Sequence, residues 1–375
     1  IYLIKMRKIE SDTISLLRFP LIVAVVFIHT NLGSVSINGK SLLQSGYYPI
    51  YENFTYFLYE LILCLAVPTF FAISGYLFFA KSPKLSLITY LQKLKSRFWT
   101  LLVPYIFWNF AVIACYFIAQ NFMTGFVSGN NKLISDYTIS DWLWAFWDTG
   151  MMNENAHYDG ARNAFPICYQ FWFIRDLIVT VILSPIIYLI LRYAKLLGLL
   201  FLAGCYIVKI QIPIAGINSL SIFFFALGAY FAIYKNNFVD ILKKHFTKIA
   251  FAYLAIAIIQ YILKNNDYYL YIHNFFIIIG VAMVFASVSC LLENNRIGMI
   301  PSYISDSNFF IYGYHGITIF FIIKCLAKIF HPNSDIAFVL FYIASPIIIV
   351  MIGVIIYNLI KKILPKFTSI ITGGR

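Results

Sequence analysis

Charged side chains are scarce in this chain. They make up 11% of its 375 residues, against about 25% in an ordinary soluble domain, and that shortage excludes a water-soluble globular surface. Acidic groups are scarcer still, 15 Asp and Glu against 28 Lys and Arg. The resulting net charge of +13 would suggest nucleic acid in a soluble protein. In a membrane protein, basic residues collect in cytoplasmic loops, so no nucleic-acid partner is expected. The cysteines at 64, 115, 168, 205, 290 and 325 include no C-x-x-C and have no His partner at ligand spacing. Neither a disulfide framework nor a metal site is expected from them.

What is abundant is apolar surface, 61% of the residues. It recurs in runs near the 20 or so residues that cross a bilayer as a helix. The spacing predicts an all-α integral membrane protein, a bundle of about ten transmembrane helices forming a single domain over 1–375. The spans are expected near 13–31, 54–80, 98–123, 167–192, 196–211, 217–234, 248–264, 270–292, 308–330 and 335–362. The first run is long, polar-interrupted and continuous with the rest, unlike a cleavable leader. With the N-terminus inside, most of the Lys and Arg fall in cytoplasmic segments, for example Lys93, Lys95, Arg97, Lys243 and Lys244. That is a positive-inside pattern and places both termini in the cytoplasm. The longest connection, about 124–166, then lies outside; it is acidic (Asp136, Asp141, Asp148, Glu154, Asp159) and contains DWLWAFW at 141–147. Trp142 and its neighbours suit packing on a sugar face, and they equally suit an aromatic belt at the membrane surface.

Ionisable groups inside spans cost about 2.5–3.5 kcal/mol each on insertion scales and are functional candidates by default. The stretch RFPLIVAVVFIH at 18–29 carries two of them. Eleven residues of helix separate Arg18 from His29 by about 16 Å and leave them about 20° apart, on one face. Helical rise sorts the others into two layers. Glu60, Arg175 and Asp176 are expected near His29, toward the outside. His315 is expected near the depth of Arg18, with Asn308 and Tyr312 on its own face, and Ser74 ends its span on that inner side. Alternatives stand beside each: Arg18 can snorkel to headgroups, Glu60 and Arg175 can form a structural ion pair, His315 can be a satisfied bundle histidine, and His29 can be an interfacial residue hydrogen-bonded to a neighbouring loop.

These residues carry a resemblance. The sequence resembles the acyltransferase 3 family of multi-pass bacterial membrane proteins through Arg18-x10-His29, VPTFFAISGYLFF at 67–79 and KLKSRFWTLLVPY at 93–105. FWFIRDLIVTVILSP at 171–185 and SNFFIYGYHGI at 307–317 continue it. Ser15 and Pro20 depart from the family pattern, where many relatives have Asp and a small residue. The resemblance implies transfer of an acyl group, usually acetyl from acetyl-CoA or another acyl-CoA, to a sugar hydroxyl of a surface or lipid-linked polysaccharide, in a bacterial inner membrane. It implies His29 as the catalytic base, and Arg18, Arg97, Ser74 and His315 as further motif positions. Combined with depth, this gives three groupings. His29, Glu60 and Arg175 are the catalytic candidates. Arg18, Ser74, Arg97, Tyr312 and His315, with Lys93 or Lys95 nearby, are expected to hold the donor. Trp172, Asp176 and Trp142 are expected to meet the glycan acceptor. A reading from another class, a glycan or lipid-linked sugar transporter or flippase, uses the same intramembrane charges and the prolines Pro68, Pro185 and Pro346.

Overall fold

The computed structural model describes residues 2–37, 40–43, 46–122, 132–152 and 164–374, with the side chains of 2–7, 37 and 40 left aside. Glu154 and Asp159 of the expected acidic loop lie outside the described residues. In chain order the helices are α1 (Tyr2–His29), α2 (Pro49–Leu61), α3 (Ala66–Ala80), α4 (Leu87–Arg97) and α5 (Val103–Phe122). They continue as α6 (Ile139–Ala145), α7 (Trp172–Ile182), α8 (Ser184–Ile207), α9 (Ser219–Ile233), α10 (Phe238–Lys244) and α11 (Phe246–Ile262). The last are α12 (Tyr269–Glu293), α13 (Ser302–Ser305), α14 (Asn308–Phe330), α15 (Asp335–Ile363) and α16 (Pro365–Thr372). Among the described residues the one departure from helix-and-loop is a two-residue antiparallel ladder, Ser36–Ile37 with Lys40–Ser41.

Seven helical stretches among the described residues are long and apolar enough to cross a membrane, or eight if the bent pair α9 and α10 is one span. The protein is thus an all-helical, multi-pass membrane protein. The difference from ten expected spans arises at two places. α11 is apolar but has only 17 residues. α8 carries Lys195 at φ 50°, ψ −125°, which divides it into two helices. A Cβ on Gly198 would stand 2.8 Å from Ile190 Cγ2. In a straight helix those two residues are about 12 Å apart, so the chain doubles back at Lys195.

Helix ends follow local chemistry. Pro49 supplies the fixed φ of a first turn, and the Asp335 carboxylate accepts from the Ile50 and Tyr51 N–H groups at 2.9 and 2.7 Å, filling donors that α2 leaves open. Asn218, Ser334 and Thr138 cap α9, α15 and α6 through their side chains.

The tightest packing joins α3 to α9. A Cβ on Gly75 would lie 1.9 Å from the Phe225 carbonyl oxygen, and one on Gly228 would lie 1.9 Å from the Ala72 oxygen. Only glycine admits this backbone-to-backbone approach, the device by which membrane helices associate without a hydrophobic driving force. The Ser-Gly pair of the FFAISGY block therefore has divided duties: Gly75 closes the helix pair, and Ser74 lines the cavity described next.

Candidate active site

The candidate centre is an imidazole pair. α1 ends at His29, and α14 carries His315 two turns from its start. His315 Nε2 lies 3.1 Å from His29 Nδ1, and His315 Nδ1 lies 3.0 Å from the Ile311 carbonyl oxygen. A carbonyl only accepts, so the proton of a neutral His315 is on Nδ1 and its Nε2 offers a lone pair. His29 Nδ1 must then donate, which leaves His29 Nε2 without a proton. The partners thus assign a tautomer with one free basic nitrogen. His315 is completely buried, and the Tyr169 ring stands edge-on to His29 with centroids 5.1 Å apart.

This arrangement corrects the expected layering. His315 belongs with His29, not with Arg18. The count of helical rise took Asn308 as a membrane-surface residue. Ser305 and Asp306, just before α14, line the interior cavity together with Asn308, so α14 begins already inside the bundle.

A cavity of about 480 Å³ reaches from His29 to Arg18 and is also lined by Ser74, Arg97, Trp172 and Tyr312. Arg18 and Arg97 lie near enough to repel each other, and among the described residues neither is in an ion pair. The chain passes from Arg97 into a single π-helical stretch, Phe98–Leu102, a feature often met at functional sites. α16 returns against it, with Gly373 so close to the Thr100 carbonyl that a Cβ would stand 2.4 Å away. Lys93 points elsewhere: its Nζ donates to the Phe78 carbonyl and sits 4.4 Å above the Phe78 ring. Two polar residues that the sequence reading passed over, Tyr169 and Gln170, belong to this site. Their signal was present, since a glutamine inside the apolar run ICYQFWFI is as anomalous there as a buried histidine.

Four expected site residues are not brought to the cavity. Glu60 is buried on α2, where it accepts from Gln260 Nε2 at 2.8 Å and Tyr269 Oη at 2.6 Å, with His273 Nδ1 at 3.1 Å. Its partners are on α11 and α12, so it orients neither His29 nor Arg175. Arg175 donates from Nε and Nη2 to Asp176 Oδ1 at 3.0 and 2.8 Å, and from Nη1 to the Trp147 carbonyl at 2.7 Å. Arg175 and Asp176 together clamp the loop over α7. Trp142 packs on Tyr137 and Phe110, beside Ile139 and Leu143, which are 84% and 70% exposed. That apolar face suits a membrane surface better than a sugar. Helical rise gives position along a helix but not the neighbours a side chain meets, and the partners of Glu60 and Arg175 do not include His29. Among the described residues no group of three His, Cys, Asp or Glu is arranged to hold a metal ion.

The loop has its own electrostatic latch. The Asp141 carboxylate accepts from Lys132 Nζ at 2.7 Å and from the Thr138 N–H and hydroxyl, each at 2.7 Å. Lys132 first and Thr138 second pull its pKa down from 3.8 to about 2. A carboxyl depressed on folding contributes stability that is complete above its unfolded pKa and is lost as pH falls through the folded one. The protection factors of amides 138–145, taken relative to the intrinsic exchange rate at each pH, are therefore expected to hold down to about pH 4 and to fall toward pH 2. Asp141→Asn is expected to exchange fast at neutral pH. Equal protection of both proteins at pH 7 would remove the latch from this account.

A buried imidazole with an oriented lone pair, sharing a cavity with two guanidiniums that have no ion-pair partner among the described residues, is an arrangement suited to group transfer within a membrane. The comparisons agree with that class: the chain belongs to the acyltransferase 3 family, whose profile, described as an acyltransferase domain, matches residues 12–357. The chain is 27% identical over 374 residues to the succinoglycan biosynthesis protein ExoH of Rhizobium meliloti (strain 1021), covering 97% of this chain and 92% of that protein. No solved structure gives a significant match.

Proposed function

We propose that this protein moves an acyl group, acetyl by the resemblance, from cytoplasmic acyl-CoA to a hydroxyl of a cell-surface or lipid-linked polysaccharide, in the inner membrane of a bacterium. The observation that carries this reading is the oriented His29–His315 pair at one end of a cavity whose far end holds Arg18 and Arg97. The relative's name supports a polysaccharide as the acceptor class.

The basic segments around α4 and α10 support a cytoplasmic arginine end and cytoplasmic termini. The reversal at Lys195 supports counting α7 with the first half of α8 as one span and the second half as another. With α11 included, that gives ten.

The cavity suits the donor by charge and by length. Guanidinium forks pair with phosphate oxygens, and about 16 Å of helix rise from Arg18 to His29 is a span that a pantetheine arm can bridge. His29 Nε2 takes the proton of the acceptor hydroxyl as its oxygen bonds to the thioester carbonyl carbon. As the C–S bond breaks, His29 returns that proton to the departing sulfur. His315 holds His29 in the required tautomer and shares the positive charge in between. Each atom and proton is accounted for without a further reactant.

The test is donor dependence. Arg97→Ala is expected to raise the KM for acyl-CoA about tenfold or more, the loss of a charge-assisted phosphate contact, with little change in the acceptor KM. Saccharide movement across proteoliposomes without any acyl donor, and no acyl product with it, would favour the transporter instead.

A further inference from the structure

The cavity that holds the arginine pair also has a carboxylate in its wall. Among the described residues that line it, Asp306 is the one acidic side chain, and it shares the lining with Arg18 and Arg97. α13 packs against α1, so the chain just before Asp306 runs beside the helix that carries Arg18. A free carboxylate there is a ready partner for a guanidinium fork and would take the place of a phosphate oxygen. Yet neither arginine is in an ion pair among the described residues.

What holds Asp306 is Lys361, near the end of α15. Its Nζ donates to Asp306 Oδ2 at 2.8 Å and lies 5.5 Å from the centre of the Tyr357 ring. Lys361 does not line the cavity, so it acts on the site through Asp306. Three residues earlier, Asn358 Nδ2 donates to the Tyr303 carbonyl at 2.8 Å. One face of α15 thus fastens the junction of α13 and α14 twice, once by backbone and once by charge. The backbone anchor remains when the charge is removed, so Lys361 decides the direction of the Asp306 side chain. The pair is partly exposed, 48% on the lysine side chain and 39% on the aspartate. Ion pairs of that kind add little to folding, and the value of this one lies in where it puts charge.

We propose that Lys361 is a positioning residue for the donor: it draws the Asp306 carboxylate away from Arg18 and Arg97 and keeps both guanidiniums open to the phosphates of acyl-CoA. The proposal rests on the acyl-CoA reading above. Without the lysine charge, Asp306 turns to the arginines and becomes an internal competitor of the donor phosphates. The effect belongs to the phosphate end alone, because the imidazole pair at the other end has its own partners.

The experiment uses the full-length protein in proteoliposomes with acyl-CoA and, as a donor without phosphate, S-acyl-pantetheine. Lys361→Met is expected to raise the acyl-CoA KM about tenfold, the cost of a like charge set against the ligand. Its kcat, and its kcat/KM for acyl-pantetheine, should match the wild type. Asp306→Asn is expected to lower the acyl-CoA KM about twofold. Because the two residues act as one unit, Lys361→Met combined with Asp306→Asn should return to within about twofold of the wild type. A wild-type acyl-CoA KM in Lys361→Met would overturn the proposal. So would a raised KM that Asp306→Asn does not relieve, which would give Lys361 a phosphate of its own. Matching losses with both donors would reduce the pair to packing and equally overturn it. If Lys361→Met does not fold, Asp306→Asn still decides, since a higher acyl-CoA KM there would make the carboxylate a donor contact. A wild type that transfers acyl groups from neither donor contradicts the proposed function itself, which keeps the two failures apart.

Discussion

Replacing His29 by alanine is expected to lower acyl transfer by about 10²–10⁴-fold, the usual range for a positioned general base, while the protein still inserts and melts as a folded bundle. The expectation follows from the tautomer chain. Ile311 fixes the His315 proton, His315 fixes the His29 proton, and the free lone pair is on His29 Nε2. His315 acts through His29, so its variants should divide by hydrogen-bonding pattern. In His315→Gln the amide can still donate to Ile311 and accept from His29, and most of the activity should remain. His315→Leu offers neither group and is expected to lose about 10–100-fold, as for other supporting partners of a reactive imidazole. It should also alter the acid limb of the pH–rate profile, since His29 no longer has a partner fixing its proton. Equal losses in the Gln and Leu variants would point to packing alone.

The second large effect is expected at the α3–α9 contact. Gly228→Ala puts a Cβ where the Ala72 carbonyl oxygen already sits, 1.9 Å away. Neither partner is the end of a flexible side chain, so the helices must separate, at a cost of about 3 kcal/mol or more. Ser74 on α3 and Phe225 on α9 both line the cavity, so activity should fall with the melting midpoint. Gly228→Leu should not yield folded protein. By contrast Gly204→Ala, whose Cβ would meet nothing within 4 Å, should behave as wild type. A Gly228→Ala protein that melts with the wild type would mean that the two backbones are not in contact.

Much of the architecture was legible in the sequence because lipid imposes a simple rule: apolar runs of helix length must span or lie buried. Even the turn between 192 and 196 could be placed, since RYAK interrupts an apolar run there, and the structure reverses at Lys195. Rise along a helix correctly put Arg18 and His29 on one cavity. The same rule failed where its starting point was wrong. α14 begins inside the bundle, so His315 lies against His29 and not beside Arg18. It was also blind to direction around the helix axis. Glu60 turns toward Gln260, Tyr269 and His273, and Arg175 turns toward Asp176 and the loop. Helical rise places a residue in a layer, and only the packing of neighbouring helices says which residues of a layer meet.

The most direct measurement is transfer of radiolabelled acyl group from acyl-CoA to saccharide acceptor by the purified protein in sealed proteoliposomes, with donor and acceptor on opposite sides. Label recovered on the saccharide, dependent on both substrates and lost in His29→Ala, is the predicted result. Label transfer by His29→Ala at the wild-type rate, or saccharide crossing the membrane unmodified in the absence of donor, would contradict the account.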